Sequence, residues 1–262
     1  MADTVIFLNI CFNRMSTDEA VKILLERLLK RQGGRVYYAN AHTIVTASKH
    51  PKLNKALQHS DLLLADGSGV RWGSKLLGKP IVHNLNGTDL VPSLCKAGAK
   101  KGLSVYLLGA KPGVAADAAE KLKVYPGLKI AGVQHGYFPP AETQKVLEDI
   151  RQARPHLLLV AMGVPVQELW INEYASQLPG ITCMGVGGLF DFVAERVPRA
   201  PLAIRDMGME WLWRLTMEPN RLWKRYLIGN LLFCGLVIRH LVGKRWDNQQ
   251  ANKISYPPKD QS

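Results

Sequence analysis

Between residues 5 and 188 the chain repeatedly sets a short run of aliphatic or β-branched residues ahead of a segment long and amphipathic enough to be a helix. The runs are VIFLNI, RVYYANAHTI, DLLLAD, SVYLLG, LKIAGVQ, HLLLVAMG and ITCMGVGG. Strands this uniformly apolar must be covered on both faces, and strand–helix alternation supplies that cover when successive strands run parallel. The pattern predicts an α/β fold, a mostly parallel sheet between layers of helices. Ser16 followed by Glu19 makes a capping box ahead of VKILLERLLK, where Val21, Leu24, Leu25 and Leu28 keep helical spacing before Gly33-Gly34.

After Asp191 the character changes. From residue 196 to 246 ten Lys and Arg stand against three acids, four of the six tryptophans gather, and strand-like runs give way to helical ones. This predicts a core over residues 1–195, a basic and aromatic helical appendage over 196–246, and a disordered tail over 247–262, which is polar and carries prolines. The core is affordable, since 47% of the 262 residues are hydrophobic. A net charge of +13 calls for an anionic partner: nucleic acid, acidic lipid or a phosphorylated substrate. The appendage mixes its cations with aromatics beside an apolar run and lays out no polar groove, so no nucleic acid is expected. That run, Tyr226 to Ile238, contains Asn230 and is shorter than the roughly 18–20 residues that cross a bilayer, which predicts docking on an anionic membrane surface without spanning it. A second copy of the chain is the other surface it could meet, so a homo-oligomer stays open. The cysteines, Cys11, Cys95, Cys183 and Cys234, are far apart and form no CxxC, which suits a reducing compartment. The opening MADTVIFLNICF reads as a first strand and lacks the pattern of a signal peptide.

In an open parallel sheet, ligands bind beyond the carboxyl ends of the strands. Four such ends carry suitable residues. Asn40 and Thr43 follow RVYYA and offer neutral hydrogen bonds to sugar hydroxyls, or else cap the next helix. Asp66 follows DLLLA and precedes two glycines, a place for a general base or, equally, for a helix cap. Gly109 and Gly113 flank a strand-to-helix turn that would aim backbone N–H groups at a phosphate, without the full dinucleotide fingerprint. Gly163, Gln167 and Glu168 after one strand, with Gly187, Gly188 and Asp191 after another, suit a nucleotide base and ribose, or simply make turns. No GxxxxGK[ST], HExxH, GxSxG or DxD is present, so no metal and no cofactor is expected. A nucleotide- or NAD-dependent oxidoreductase would share the same alternation and is the rival reading.

Taken in order, NAHT, ADGSGV, NGTDL, LLGAKPGV, GLKIAGVQHGYF, MGVPVQE, GVGGLFDF and RAPLAIRDMGMEWLWRLTMEPNRLWKRYL resemble the WecG/TagA/CpsF family of bacterial glycosyltransferases, from about residue 5 to about 240. The resemblance implies a Rossmann-like core with a C-terminal membrane-associating appendage. It implies an inverting, metal-independent transfer of a hexose-type sugar, such as N-acetylmannosamine, its uronic acid or glucose, from a UDP-sugar to a polyprenyl-diphosphate-linked glycan. The place implied is the cytoplasmic face of the cell membrane, where the enzyme sits peripherally. By the same resemblance Asp66 matches the catalytic base and Thr43, with Asn40, matches positions on the acceptor side of the pocket. Gln167 matches a glutamine near the nucleotide sugar, Asp89 falls in the NGTDL motif, and Arg214, Arg221 and Arg225 match the C-terminal basic positions. Two departures stand out: His83-Asn84-Leu85-Asn86 replaces a stretch that often carries an arginine, and Val166 stands where a lysine often precedes the Gln-Glu pair. The sugar specificity of relatives is therefore not carried over.

Overall fold

The computed structural model describes the backbone of residues 3–254 and the side chains up to residue 243, residue 221 excepted. Its centre is a six-stranded sheet in the order β4-β3-β8-β7-β5-β6, with every neighbouring pair parallel. The strands are β3 (Gly34–Ala39), β4 (Leu62–Ala65), β5 (Ser104–Gly109), β6 (Lys129–Gln134), β7 (Leu157–Ala161) and β8 (Thr182–Gly185). β4, β7 and β8 are buried along their whole length, as their unbroken apolar sequences require, whereas the edge strand β6 alternates more polar and partly exposed residues.

Two layers cover the sheet, and successive residues of each strand feed opposite ones. Val36, Tyr38, Leu157 and Leu159 join the core beneath α1 (Thr17–Leu29), α5 (Gly87–Ala99), α6 (Val114–Leu122) and α9 (Leu189–Val193). Tyr37, Leu63, Leu158 and Val160 join the other, beneath α2 (Ala41–Lys49), α3 (Pro51–Gln58), α4 (Ser68–Leu76), α7 (Thr143–Ala153) and α8 (Val166–Tyr174). The capping box of α1 forms as its sequence predicts: Glu19 N–H donates to Ser16 Oγ at 3.3 Å and Ser16 N–H to Glu19 Oε2 at 2.7 Å.

One expectation fails at the N-terminus. VIFLNI is not a strand of the parallel sheet; it is split between β1 (Asp3–Phe7) and β2 (Ile10–Arg14), an antiparallel hairpin lying outside it. Leu8 and Asn9 form the turn, both at positive φ, which matches the twist of a two-residue hairpin although neither is glycine. Phe7 and Phe12 point into the second core, and Asn13 Oδ1 accepts from Leu63 N–H at 2.8 Å.

The chain then leaves β8 through α9 into short helices: α10 (Leu202–Asp206), α11 (Glu210–Met217), α12 (Pro219–Trp223), a π-helical turn over Lys224–Ile228, and α13 (Gly229–Ile254). Pro219 does end one helix and start the next. α13 runs past residue 246, where the tail was expected to begin, and residues 255–262 lie outside the described residues. The stretch Lys224–Gly243 is 20 residues long and apolar enough to cross a membrane, so length by itself does not exclude a span as the count from Tyr226 to Ile238 had suggested. One face of this helix is nevertheless taken up by the protein: Phe233 and Val237 are buried in the second core, and the Phe233 ring lies 6.2 Å from that of Phe7. Gly73 permits the approach, since a Cβ there would come within 3.0 Å of the Phe7 ring and 3.1 Å of the Phe233 ring.

Candidate active site

β3 and β4 end side by side, Ala39 paired with Ala65, so the residues that follow them are neighbours. Asn40 caps α2, its Oδ1 accepting from Thr43 N–H at 3.1 Å and from the Thr43 hydroxyl at 3.2 Å. With the amide oxygen engaged on the helix side, the NH2 group faces the other way and donates to Asp66 Oδ2 at 3.3 Å. Asn40 thus caps α2 and reaches Asp66 with the same side chain. Thr43 is fully buried behind this pair, is not among the residues that line the cavity, and holds the Asn40 amide oxygen through its N–H and hydroxyl. On the other flank, Gly67 at φ +87 starts α4, and its N–H donates to Asn84 Oδ1 at 2.6 Å.

Asp66 looks into a cavity of about 680 Å³. Asn40, His42, Asn84, Asn86 and Thr88 line its sheet side, while Arg205, Glu210, Trp211, Arg214, Arg225 and Tyr226 close it from the appendage. Burial pushes the Asp66 carboxyl above its ordinary value, although the Asn40 hydrogen bond and the charges of Arg225 and Arg214 pull it down. Burial, with Arg225 adding to it, lowers His42 to about 4, so its imidazole is neutral at pH 7. Glu210 is also raised, chiefly by burial, and Asp66 is among the charges that raise it. Arg214 stacks on Phe192, with its guanidinium carbon 4.7 Å from the ring centroid. Among the described residues, the Nε atoms of Arg205 and Arg214 have no hydrogen-bond partner. The wall therefore combines a destabilised carboxylate, neutral amides and arginine donors, an arrangement that can take a proton and hold an anion.

Asp89 sits at the start of α5, bonded to Arg199 Nη1 at 2.8 Å and to Asn86 Nδ2 at 2.8 Å, with Arg205 3.6 Å away. Burial opposes its ionisation, but the Arg199 and Asn86 hydrogen bonds more than offset this and hold the carboxyl below its ordinary value. It ties the appendage to the core at the cavity rim and does not line the cavity. Ser68 Oγ adds a second tie by donating to Gly208 O at 3.0 Å.

Beyond β7 and β8 the expected donor residues also converge, in a different way. Gln167 is buried; its Oε1 accepts from Gly163 N–H at 3.2 Å and Gly187 N–H at 2.9 Å, and its Nε2 donates to Glu168 Oε1 at 2.7 Å. It staples two loops together from behind. Gly163 and Gly187 both have positive φ, and a Cβ at either would meet nothing within 4 Å, so both loops present open backbone. Glu168 is fully buried, its Oε2 has no partner among the described residues, and burial pushes its carboxyl up to about 7. Gly188 lines the cavity, and a Cβ there would lie 3.5 Å from Arg214 Nη2 and 3.8 Å from Asp191 Oδ2, placing Asp191 beside it.

Gly109 has a packing reason to be glycine. A Cβ there would collide with Ala161 O, so glycine is needed for the close packing of β5 on β7. Gly113 caps α6 away from the Asp66 cavity, near Arg196, which is paired with Asp117 at 2.5 Å. Arg221 falls in α12, and its side chain lies outside the described residues. Arg205, Glu210 and Asn84 were not singled out in the sequence. Asn84 and Asn86 occupy the stretch where family members often carry an arginine, and here they supply neutral amides to the cavity. Among the described residues no three His, Cys, Asp or Glu side chains converge.

The fold is of the α/β class, a parallel sheet between layers of helices, and a carboxylate, amides and arginines gather beyond its strand ends, where such sheets bind their ligands. The chain matches the Glycosyl transferase WecG/TagA/CpsF family over residues 5–247 and belongs to it: it is a glycosyltransferase. It is similar to the N-acetylglucosaminyldiphosphoundecaprenol N-acetyl-β-D-mannosaminyltransferase of Bacillus spizizenii, with 34% identity over 199 residues covering 76% of each chain.

Proposed function

We propose that this glycosyltransferase moves a hexose-type sugar from a UDP-sugar to a polyprenyl-diphosphate-linked glycan, with inversion at the anomeric carbon and without a metal. The observation that carries this reading is the meeting of Asp66, oriented by Asn40, with Arg214 and Arg225 in one cavity. Asp66 takes the proton of the acceptor hydroxyl as its oxygen attacks the anomeric carbon from the face opposite the nucleotide. The bond from that carbon to the UDP oxygen breaks, and UDP departs with the electron pair. Arginine forks and backbone N–H groups meet the negative charge that develops on the leaving diphosphate. Support for the lipid-linked acceptor comes from the Bacillus relative, whose name specifies one.

In this reading the reaction runs at the inner surface of the cell membrane, with the appendage docked on it. Its exposed Trp223, Leu227, Leu231 and Ile238 suit the headgroup boundary, and each nearby cation contributes about 1 kcal/mol on an anionic leaflet. The burial of Phe233 and Val237 against the core favours peripheral docking over a span. A panel of UDP-sugars assayed for UDP release with a polyprenyl-diphosphate acceptor tests the whole reading. Release that requires both substrates is expected. Silence across the whole panel would overturn this pairing of donor and acceptor.

A further inference from the structure

The cavity that holds Asp66 does not stop at the arginines. It continues between α4 and α13 as a groove walled by Trp72 and Leu76 on one side and by Phe233, Val237, Ile238 and Leu241 on the other. Trp72, Leu76 and Ile238 expose 74%, 66% and 59% of their surface, a high toll for large apolar side chains that lie together. Among the described residues no charged side chain of α4 or α13 lines the cavity, while Asp66, Arg205, Glu210, Arg214 and Arg225 line the rest of it. The groove is also a built feature: Phe233 packs against Gly73, where a Cβ would come within 3.1 Å of its ring.

A single cavity that is cationic at one end and hydrocarbon-like at the other has the polarity of an amphiphile with an anionic head. We propose that the α4–α13 groove binds the first isoprene units of the acceptor, with the acceptor diphosphate at Arg225, in the turn that leads into α13, and the sugar at Asp66, leaving Arg214 to the departing UDP. This rests on the proposed function and adds to it a protein site for the lipid chain. Continuity with the catalytic cavity selects this occupant. A bilayer or a second copy would cover the exposed rim, but neither explains why the apolar wall leads to the carboxylate.

The test is a detergent-free assay of the full chain with two soluble acceptors that share sugar and diphosphate, one ending in a ten-carbon isoprenoid and the other in a methyl group. Wild-type kcat/KM is expected to favour the isoprenoid acceptor by at least about tenfold, mainly through KM, since each buried CH2 adds to binding. The double variant Leu76→Ser with Ile238→Ser should cut that preference several-fold while Tm holds, because both side chains are exposed. A wild-type preference near one, with both acceptors turned over, overturns the groove and leaves the proposed function standing. A strong preference that the double variant retains also overturns it, as does a double variant that changes only the oligomeric mass, which would assign the groove to a second copy. Failure of both acceptors with every UDP-sugar would instead strike the reading on which the groove rests.

Discussion

The ends of β3 and β4 and the ends of β7 and β8 are built from the same kind of sequence, an apolar strand followed by polar residues and glycine, yet they do opposite things with their polar atoms. At the first pair, Asn40 spends its oxygen on a helix cap and turns its NH2 to Asp66, leaving a carboxylate that faces the cavity. At the second, Gln167 spends oxygen and nitrogen alike on Gly163, Gly187 and Glu168, and is buried. One arrangement exports a reactive group; the other freezes two loops. A polar residue at a strand end is thus informative about location, while its role depends on where its hydrogen bonds finish.

Mutation can break this contrast. Asp66→Asn should lower kcat by about 10²–10⁴-fold, the usual worth of a positioned base, with UDP affinity nearly unchanged by calorimetry. Arg214→Ala should cost about 10²-fold in kcat/KM, because it removes a donor at the developing charge; an effect confined to Tm would place Arg214 in the structural group with Gln167. Gln167→Ala should act on the fold, losing about 1–3 kcal/mol for each backbone N–H left without its partner, as read by urea denaturation. A wild-type denaturation midpoint for Gln167→Ala, with activity abolished, would reverse the assignment.

Titration sharpens the same contrast. Asp66 is raised, so the acid limb of kcat/KM should fall at a pH above the ordinary aspartate value, with activity appearing as pH rises through it. Glu168 is raised from 4.5 to about 7, so its protonated form contributes stability in full below 4.5 and loses that contribution as pH rises through about 7. Glu168→Gln should therefore gain on the wild type between pH 5 and pH 8, by roughly 2–3 kcal/mol in thermal or urea unfolding. A constant difference across that range would mean that Glu168 does not titrate there.

Much of the sheet was legible because fully buried strands leave no room for polar residues, and β4, β7 and β8 are buried throughout. The hairpin was not, because its Leu8-Asn9 turn lacks the glycine that usually marks such a bend. Asp66 was legible from its place after a strand and before two glycines. Arg205 and Glu210 were not, since they enter the cavity only when the appendage packs back over the ends of β3 and β4, more than a hundred residues earlier in the chain. Gly109 shows the converse: a glycine that suggested an approaching phosphate answers instead to the neighbouring strand at Ala161.

The seat of Phe233 at Gly73 has a mechanical meaning. The segment that carries Arg225 continues directly into the helix that carries Phe233, and that ring rests on the helix that starts at Gly67, beside Asp66. Arg225 and Phe233 belong to one continuous helical segment, so the place of the guanidinium beside Asp66 is tied to the seat of the ring at Gly73, some distance from the carboxylate it serves.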